Sequence, residues 1–306
     1  MDFGAQVNAY RTSWSEISSV IEVMEAGRWH SLWFADHFLA PGPAQQHGQA
    51  AFEAFSLISA AAGMTQRLRL GHLVLGNTYR NPALVAKMAA TIDQISGGRF
   101  VLGIGAGWFE REHDAYGWDF PSMRDRSDRF EEACALIRAL FKTDGGSVDF
   151  DGRYYQLREA PLSPGCVQTP HVPILVGGTG ERRTLRTLAL HGDAMNVDGW
   201  AGAGMSVDLY RHKAEVLERH CEEVGRDPSE IRHTVLVPTV LSDDKTMVDK
   251  FISRLGETTI AGTASYIVDR VGELVGAGVD EIMFGSPAKP AEDYQRFDEE
   301  VLAQFD

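Results

Sequence analysis

The 306-residue sequence has little cysteine and little positive charge. Its three cysteines, Cys134, Cys166 and Cys221, stand far apart and are odd in number. They form neither a disulfide framework nor a metal spacing, which fits a reducing cytoplasm. Only 29 Lys and Arg face 43 Asp and Glu, for a formal net charge of −14. A nucleic-acid partner is set aside, because its phosphates would be repelled at long range. There is no apolar run of about 18 residues to cross a bilayer. The first residues, "MDFGAQVNAY", have no basic stretch followed by an apolar one, so no secretory leader is expected. Low-complexity tracts and blocks of like charge are also missing, which argues against disorder.

What is present is an alternation of short apolar runs with helical patterns. Strands are predicted at Phe3–Asn8, at "SLWF" from Ser31, at Leu68–Leu75, at "FVLGIG" and at "VPILVGG". Three more follow at "DAMNV", at "HTVLVPTVL", which Pro238 interrupts, and at "DEIMFG". Helices are predicted at Trp14–Ala26, Phe52–Ala62, Pro82–Ser96, Asp128–Phe141, Glu181–His191, Val207–Val224, Thr263–Gly278 and at the C-terminus. Asn81 is placed as an N-cap with Pro82 at the first helical position, and Gly97 and Gly98 close that helix. Eight strands, each followed by a helix, predict a (β/α)8 TIM barrel, an α/β fold. The segment at roughly 143–169 breaks the rhythm: "SVDFDGRYYQL" reads as a hairpin-containing insertion near the middle of one domain spanning 1–306. A doubly wound sheet would carry a Gly-x-Gly-x-x-Gly turn after its first strand; the nearest match, "GIGAGW", follows the fourth and ends in Trp108.

In a barrel, the C-terminal ends of the strands surround the active site. The second strand ends there in Asp36 and His37, a carboxylate beside an imidazole, which can serve proton transfer or simply cap a loop. Gly76 and Asn77 suit a bulge after the third strand, with Arg80 beyond it in solvent if the turn is ordinary. Gly103, Gly105 and Gly107 bare the backbone for a flat ligand, or else allow tight packing around a core Trp108. Glu110, Glu112 and His113 carry metal-type donors, but no further ligand stands at a recognisable spacing, so no metal is expected. Gly177, Gly178, Thr179 and Gly180 open a helix and offer free amides to an anion, with Arg182 and Arg183 adding positive charge. No Gly-x-Ser-x-Gly elbow and no paired strand-end acids suggest a hydrolase.

Together "LWFADHF", "LGHLVLGNTYRNPALVAKMAATIDQISGGRFVLGIGAGWFEREHDAYG", "DGRYYQL", "PILVGGTGERRTLRTLALHGDAMN" and "GAGVDEIMFG" resemble the bacterial-luciferase-like superfamily of flavin and deazaflavin oxidoreductases, in its coenzyme F420-dependent branch. The resemblance covers almost the whole chain. It implies a cofactor ring across the barrel mouth, contacted by Asp36 and His37. It also implies a non-prolyl cis peptide between Leu73 and Gly76, at Leu73–Val74, backing that ring. Ala106 and Gly107 match the family's cofactor wall, and Gly177 to Gly180 its phosphate turn. The sugar-phosphate dehydrogenase branch has a Glu where this sequence has Trp108, which leaves Trp108 as a substrate-side residue.

The resulting expectation is a cytoplasmic oxidoreductase that transfers a hydride between F420 and a small organic substrate. His37 is the proton-handling catalytic residue, and Asp36 orients it or binds the ring's polar edge. The alternatives are an FMN-dependent monooxygenase of the same superfamily and a barrel that binds the cofactor without catalysis. No nucleic-acid or membrane partner is expected, and a homo-oligomer is left open.

Overall fold

A chain whose strands are apolar on both faces must cover both faces, and the parallel barrel does so. The computed structural model describes residues 1–41, 48–143, 146–200, 204–256, 258–285 and 290–305. The barrel strands are β1 (Asp2–Gln6), β2 (Ser31–Phe34), β3 (Arg69–His72) with its continuation β4 (Leu75–Gly76), and β5 (Phe100–Gly105). A hairpin, β6 (Ser147–Asp151) and β7 (Gln156–Pro161), precedes β8 (Ile174–Gly177), β9 (Ala194–Asp198), β10 (Arg232–Leu241), β11 (Ile260–Gly262) and β12 (Glu281–Gly285). Parallel pairing runs β1–β2–β3–β5–β8–β9–β10–β12 and closes from β12 back to β1, so the expected (β/α)8 barrel is the fold. β6 and β7 pair only with each other, between the fourth and fifth barrel strands. Residues 144–145 of the expected insertion lie outside the described residues.

Ten helices are described: α1 (Trp14–Ala26), α2 (Ala54–Met64), α3 (Pro82–Ser96), α4 (Glu110–Tyr116), α5 (Met123–Phe141), α6 (Thr184–His191), α7 (Val207–Val224), α8 (Lys245–Leu255), α9 (Ala264–Gly276) and α10 (Ala291–Glu300). Asn81 accepts from the Ala83 amide at 2.9 Å ahead of Pro82, and Gly97 closes α3 at φ +66°. Along β2 the side chains alternate. Leu32 and Phe34 join the large core under the helices, while Trp33 fills the barrel interior with Val101, Leu175, Leu236 and Met283. Gly71 gives that indole its space: a Cβ there would stand 2.6 Å from Trp33 Cε3.

Several elements differ from the sequence reading; α5, for one, begins at Met123 and not at Asp128. The third strand is divided, because Leu73–Val74 is a cis peptide between β3 and β4. Pro238 does not end the seventh strand; β10 runs through it and leaves the barrel there, pairing onward with β11. The short α4 and the peripheral α8 were not anticipated. Finally, α6 begins at Thr184, because residues 181–183 form a turn.

Candidate active site

The bulge at the end of the third strand is the scaffold of the mouth. Gln6 Nε2 donates to the Leu73 carbonyl at 2.8 Å, and the Gly76 amide donates to Asp36 Oδ2 at 3.1 Å. Val74 then lies over the ends of the neighbouring strands. A Cβ on Gly105 would stand 3.0 Å from Val74 Cγ2, and one on Gly177 2.7 Å from Cγ1. A Cβ on Gly103 would collide with the His72 carbonyl, and one on Gly107 would press on Thr78 Oγ1. Gly103, Gly105 and Gly177 therefore admit the chain's own bulge and Gly107 admits Thr78, which is the tight packing that the sequence left open beside a bare glycine wall. Only Gly107, at φ +81°, also needs its special backbone.

Asp36 and His37 have separate partners. Arg80 Nη1 donates to Asp36 Oδ2 at 2.7 Å and Nη2 to Oδ1 at 2.9 Å, while Nη2 also reaches Glu53 Oε1 at 2.6 Å. The guanidinium stands 5.4 Å from the Phe38 ring centroid and 5.1 Å from that of Phe55. Burial presses the Asp36 carboxyl upward from its ordinary range, against Arg80 and the Gly76 amide, which favour its anion. For Arg80, burial is outweighed by Asp36 and Glu53, so the guanidinium stays charged. Two expectations are corrected here. Arg80 is a buried clamp, not a solvated base, and Asp36 makes its hydrogen bonds with Arg80 and the Gly76 amide, not with His37.

His37 is held instead by Glu112. Nδ1 stands 3.1 Å from Glu112 Oε2, which also accepts the Tyr79 hydroxyl, while Oε1 accepts the amides of Phe38 at 2.6 Å and Leu39 at 2.8 Å. Glu112 is completely buried. Burial works to raise its carboxyl, but His37, Tyr79 and the Leu39 amide outweigh it and hold the group below its ordinary range. Burial and the bond to Glu112 raise the Tyr79 phenol. Glu112 and His113, which looked like metal donors, therefore have structural partners: His113 Nε2 meets Thr78 Oγ1 at 2.8 Å and Nδ1 the Phe109 carbonyl at 2.9 Å.

Trp108 is 66% exposed, so it is not a core residue. It stacks on Phe109 at 4.9 Å and 15°, and both rings stand edge-on to His37, at 5.4 Å and 5.5 Å. A second exposed indole, Trp200, lies at the end of the sixth barrel strand and covers Gly285, where a Cβ would stand 3.0 Å from its Cε2.

The turn after β8 keeps its amides available. Gly178 adopts φ +123°, and among the described residues the N–H groups of Thr179 and Gly180 have no acceptor. Such a nest fits an anion. The positive charge expected beside it is partly spent: Arg183 pairs with Asp128, and Arg182 is exposed. Ala106 and Gly107 are half-buried on the segment leading to Trp108.

Sequence reasoning missed Glu112 and Tyr79 as partners of the site. The signal for Glu112 was an acid two residues into a short helix beside the glycine-rich strand end, which spacing alone could not connect to β2.

The chain is 32% identical over 205 residues to an F420-dependent glucose-6-phosphate dehydrogenase of Amycolatopsis mediterranei (strain U-32), covering 64% of this chain and 58% of that protein. The chain thus spans little more than half the length of that relative. It is 29% identical over 331 residues to a 5,10-methylenetetrahydromethanopterin reductase of Archaeoglobus fulgidus, covering 90% of each. In three dimensions it superimposes on an F420-dependent secondary alcohol dehydrogenase, solved with an F420-acetone adduct, with a TM-score of 0.83. That structure is 20% identical and covered to 98%, against 99% of this chain, a likeness of fold. A sequence model described as luciferase-like monooxygenase matches residues 1–252, and by that match the chain belongs to the luciferase-like monooxygenase family.

Proposed function

We propose that the chain is an oxidoreductase that moves a hydride between the deazaflavin coenzyme F420 and a small organic substrate at the barrel mouth. The observation that carries this reading is His37, held by a buried carboxylate at the end of β2 in a mouth whose β8 turn has unused amides. Family membership and the F420-dependent relatives support it. When bound, the coenzyme supplies a ring carbon that carries a hydride. The chain's own residues bind, back and shield it. In this reading Gly177, Gly178, Thr179 and Gly180 receive its phosphate. Leu73, Val74, Ala106 and Gly107 back the ring. Asp36 acts through the bulge it fixes at Gly76, since only 1% of its side chain is exposed. His37 holds or accepts a proton at the imidazole nitrogen that Glu112 leaves free. Trp108 lines the substrate side, and an indole cannot act as the acid that the sugar-phosphate branch has there, which argues against sugar-phosphate oxidation by that mechanism. Residues 1–306 act as one barrel domain, with 143–169 as its insertion.

Titration of purified protein with F420 and with FMN, followed by absorbance, tests the reading. F420 should bind at least about tenfold more tightly, a difference of 1.4 kcal/mol. A carbonyl and alcohol panel should then reveal turnover, and His37→Asn should lower kcat by about a hundredfold while cofactor affinity changes little. Preference for FMN would favour the monooxygenase instead. Tight F420 binding without turnover on any substrate would leave a cofactor-binding barrel.

A further inference from the structure

The Glu112 carboxylate receives four donors and can itself donate to none. Oε1 takes the Phe38 and Leu39 amides at 2.6 Å and 2.8 Å. Oε2 takes the Tyr79 hydroxyl and lies 3.1 Å from His37 Nδ1. An ionised carboxylate only accepts hydrogen bonds. Its other three neighbours bring their own hydrogens, so no proton is needed on the acid to satisfy them. The hydrogen between Oε2 and the imidazole must then belong to the ring. Protonating Glu112 to reverse that bond would forfeit one of the four donors in a site with no exposed surface.

We propose that Glu112 is a positioning residue that fixes neutral His37 as the Nδ1–H tautomer and so reserves Nε2, as a lone pair, for the barrel mouth. The rest of the surroundings agree with one fixed ring. Trp108 and Phe109 stand edge-on to it, at interplanar angles of 78° and 79°, and Tyr10 lies 6.3 Å away. Asp36, the adjacent carboxylate in sequence, accepts from Arg80 and the Gly76 amide, and the imidazole's hydrogen bond goes to Glu112 instead. A ring fixed in this way accepts a proton at Nε2 and has none to give there until it has taken one up. It therefore suits a substrate that releases a proton as it is oxidised, such as one bearing a hydroxyl. That catalytic consequence rests on the function proposed above; the tautomer itself does not.

The test reads the tautomer without cofactor. Protein carrying ¹⁵N-labelled histidine is examined by long-range proton–nitrogen correlation at alkaline pH, where histidine rings are neutral. The sequence has 10 histidines, and His37→Gln identifies the relevant signals by their loss. The wild type should show a protonated Nδ1 and an unprotonated Nε2. Glu112→Gln, whose amide can donate as well as accept, should remove that preference, and kcat should fall about tenfold or more with KM little changed. Tyr79→Phe leaves the carboxylate in place and should keep the tautomer. A wild-type His37 protonated at Nε2, or an even mixture, overturns the proposal. So does a folded Glu112→Gln with the wild-type tautomer. If Glu112→Gln does not fold, the wild-type spectrum still decides. Failure of F420 turnover would remove the proposed function while leaving this result standing.

Discussion

Arg80 grips Asp36 with two parallel bonds, 2.7 Å and 2.9 Å long, and through it anchors the Gly76 amide at the edge of the bulge. A planar fork meeting a carboxylate in this way gives direction as well as charge. The pair is buried, with 11% of the Arg80 side chain and 1% of the Asp36 side chain exposed. Such a pair contributes more to fixing one arrangement than to net stability. Removing one partner is costly because the other is left as an unpaired buried charge.

Arg80→Ala should therefore destabilise the fold by about 3–5 kcal/mol. Arg80→Lys keeps the charge but not the fork, and should weaken cofactor affinity more than its smaller stability loss explains, because the bulge loses its fixed edge. Urea denaturation beside cofactor titration checks both. Equal cofactor affinity in wild type and Arg80→Lys would uncouple the clamp from the mouth.

His72 predicts a pH dependence of stability. It is fully buried between the Phe55 and Phe100 rings, and burial lowers its pKa to about 3, with the Arg80 charge acting in the same direction. Neither ring nitrogen has a well-formed hydrogen bond, and a weak contact with the Ala54 backbone does not offset burial. The folded ring stays neutral where the unfolded one, near 6.5, takes up a proton. The His72 contribution to stability is thus complete above pH 6.5 and is lost towards pH 3 by up to about 1.4 kcal/mol per pH unit. His72→Leu should remove that part of the slope and be neutral or stabilising at pH 7.5, since it replaces an unsatisfied polar ring by an apolar group. His191 and His233 are also lowered by burial, but they contribute equally to both proteins and cancel. Parallel stability curves for the two proteins between pH 7 and 4 would remove His72 from the acid response.

The barrel was legible because its signals are local and repeated. The apolar run at β2 and the Asn81-Pro82 cap each fix one element without reference to the rest. The position of the cis peptide at Leu73–Val74 came from resemblance, not from residue chemistry. Partnerships within the site were less legible. Asp36 and His37 are neighbours in sequence, yet they turn to Arg80, 44 residues away, and to Glu112, 75 residues away. Only the closing of β2, β3 and β5 side by side brings those groups together. The glycines of β5 were ambiguous for a related reason: what presses on them is the His72 carbonyl and Val74, from the neighbouring bulge. α8 went unread although Asp244 caps it, accepting from Thr246 at 2.8 Å, because no residue of α8 is buried and it completes no barrel unit.

The anion turn gives a prediction at Gly178. An added Cβ would lie 3.3 Å from Thr184 Cγ2, and φ +123° disfavours any L side chain. Gly178→Asp adds a negative charge to that strain. Cofactor affinity should fall by at least about tenfold. The fold should survive with a cost of about 1–3 kcal/mol. Free phosphate should protect the wild type, but not the variant, against thermal unfolding. A folded Gly178→Asp with wild-type cofactor affinity would move the phosphate away from this turn.

Trp108 separates substrate recognition from folding. Its indole is 66% exposed and touches His37 and Phe109 at the mouth, so removing it opens no core cavity. Trp108→Ala should therefore leave stability within about 0.5 kcal/mol, far from the 3–5 kcal/mol lost when a core Trp is removed. Cofactor affinity should change little, because in the proposed arrangement the ring is backed from the other side by Val74 and Gly107. The change should appear in substrate discrimination. For a planar apolar substrate, kcat/KM should fall by about tenfold or more, while a small polar one is affected less, since only the former gains from stacking on the indole. Trp108→Phe keeps an aromatic face and should recover most of the loss; Trp108→Leu keeps apolar area without a π face and should recover less. The comparison is made on one substrate panel, with Kd for the cofactor and the unfolding midpoint measured on the same preparations. A uniform loss across the panel, with cofactor Kd raised in proportion, would place Trp108 against the cofactor instead of the substrate.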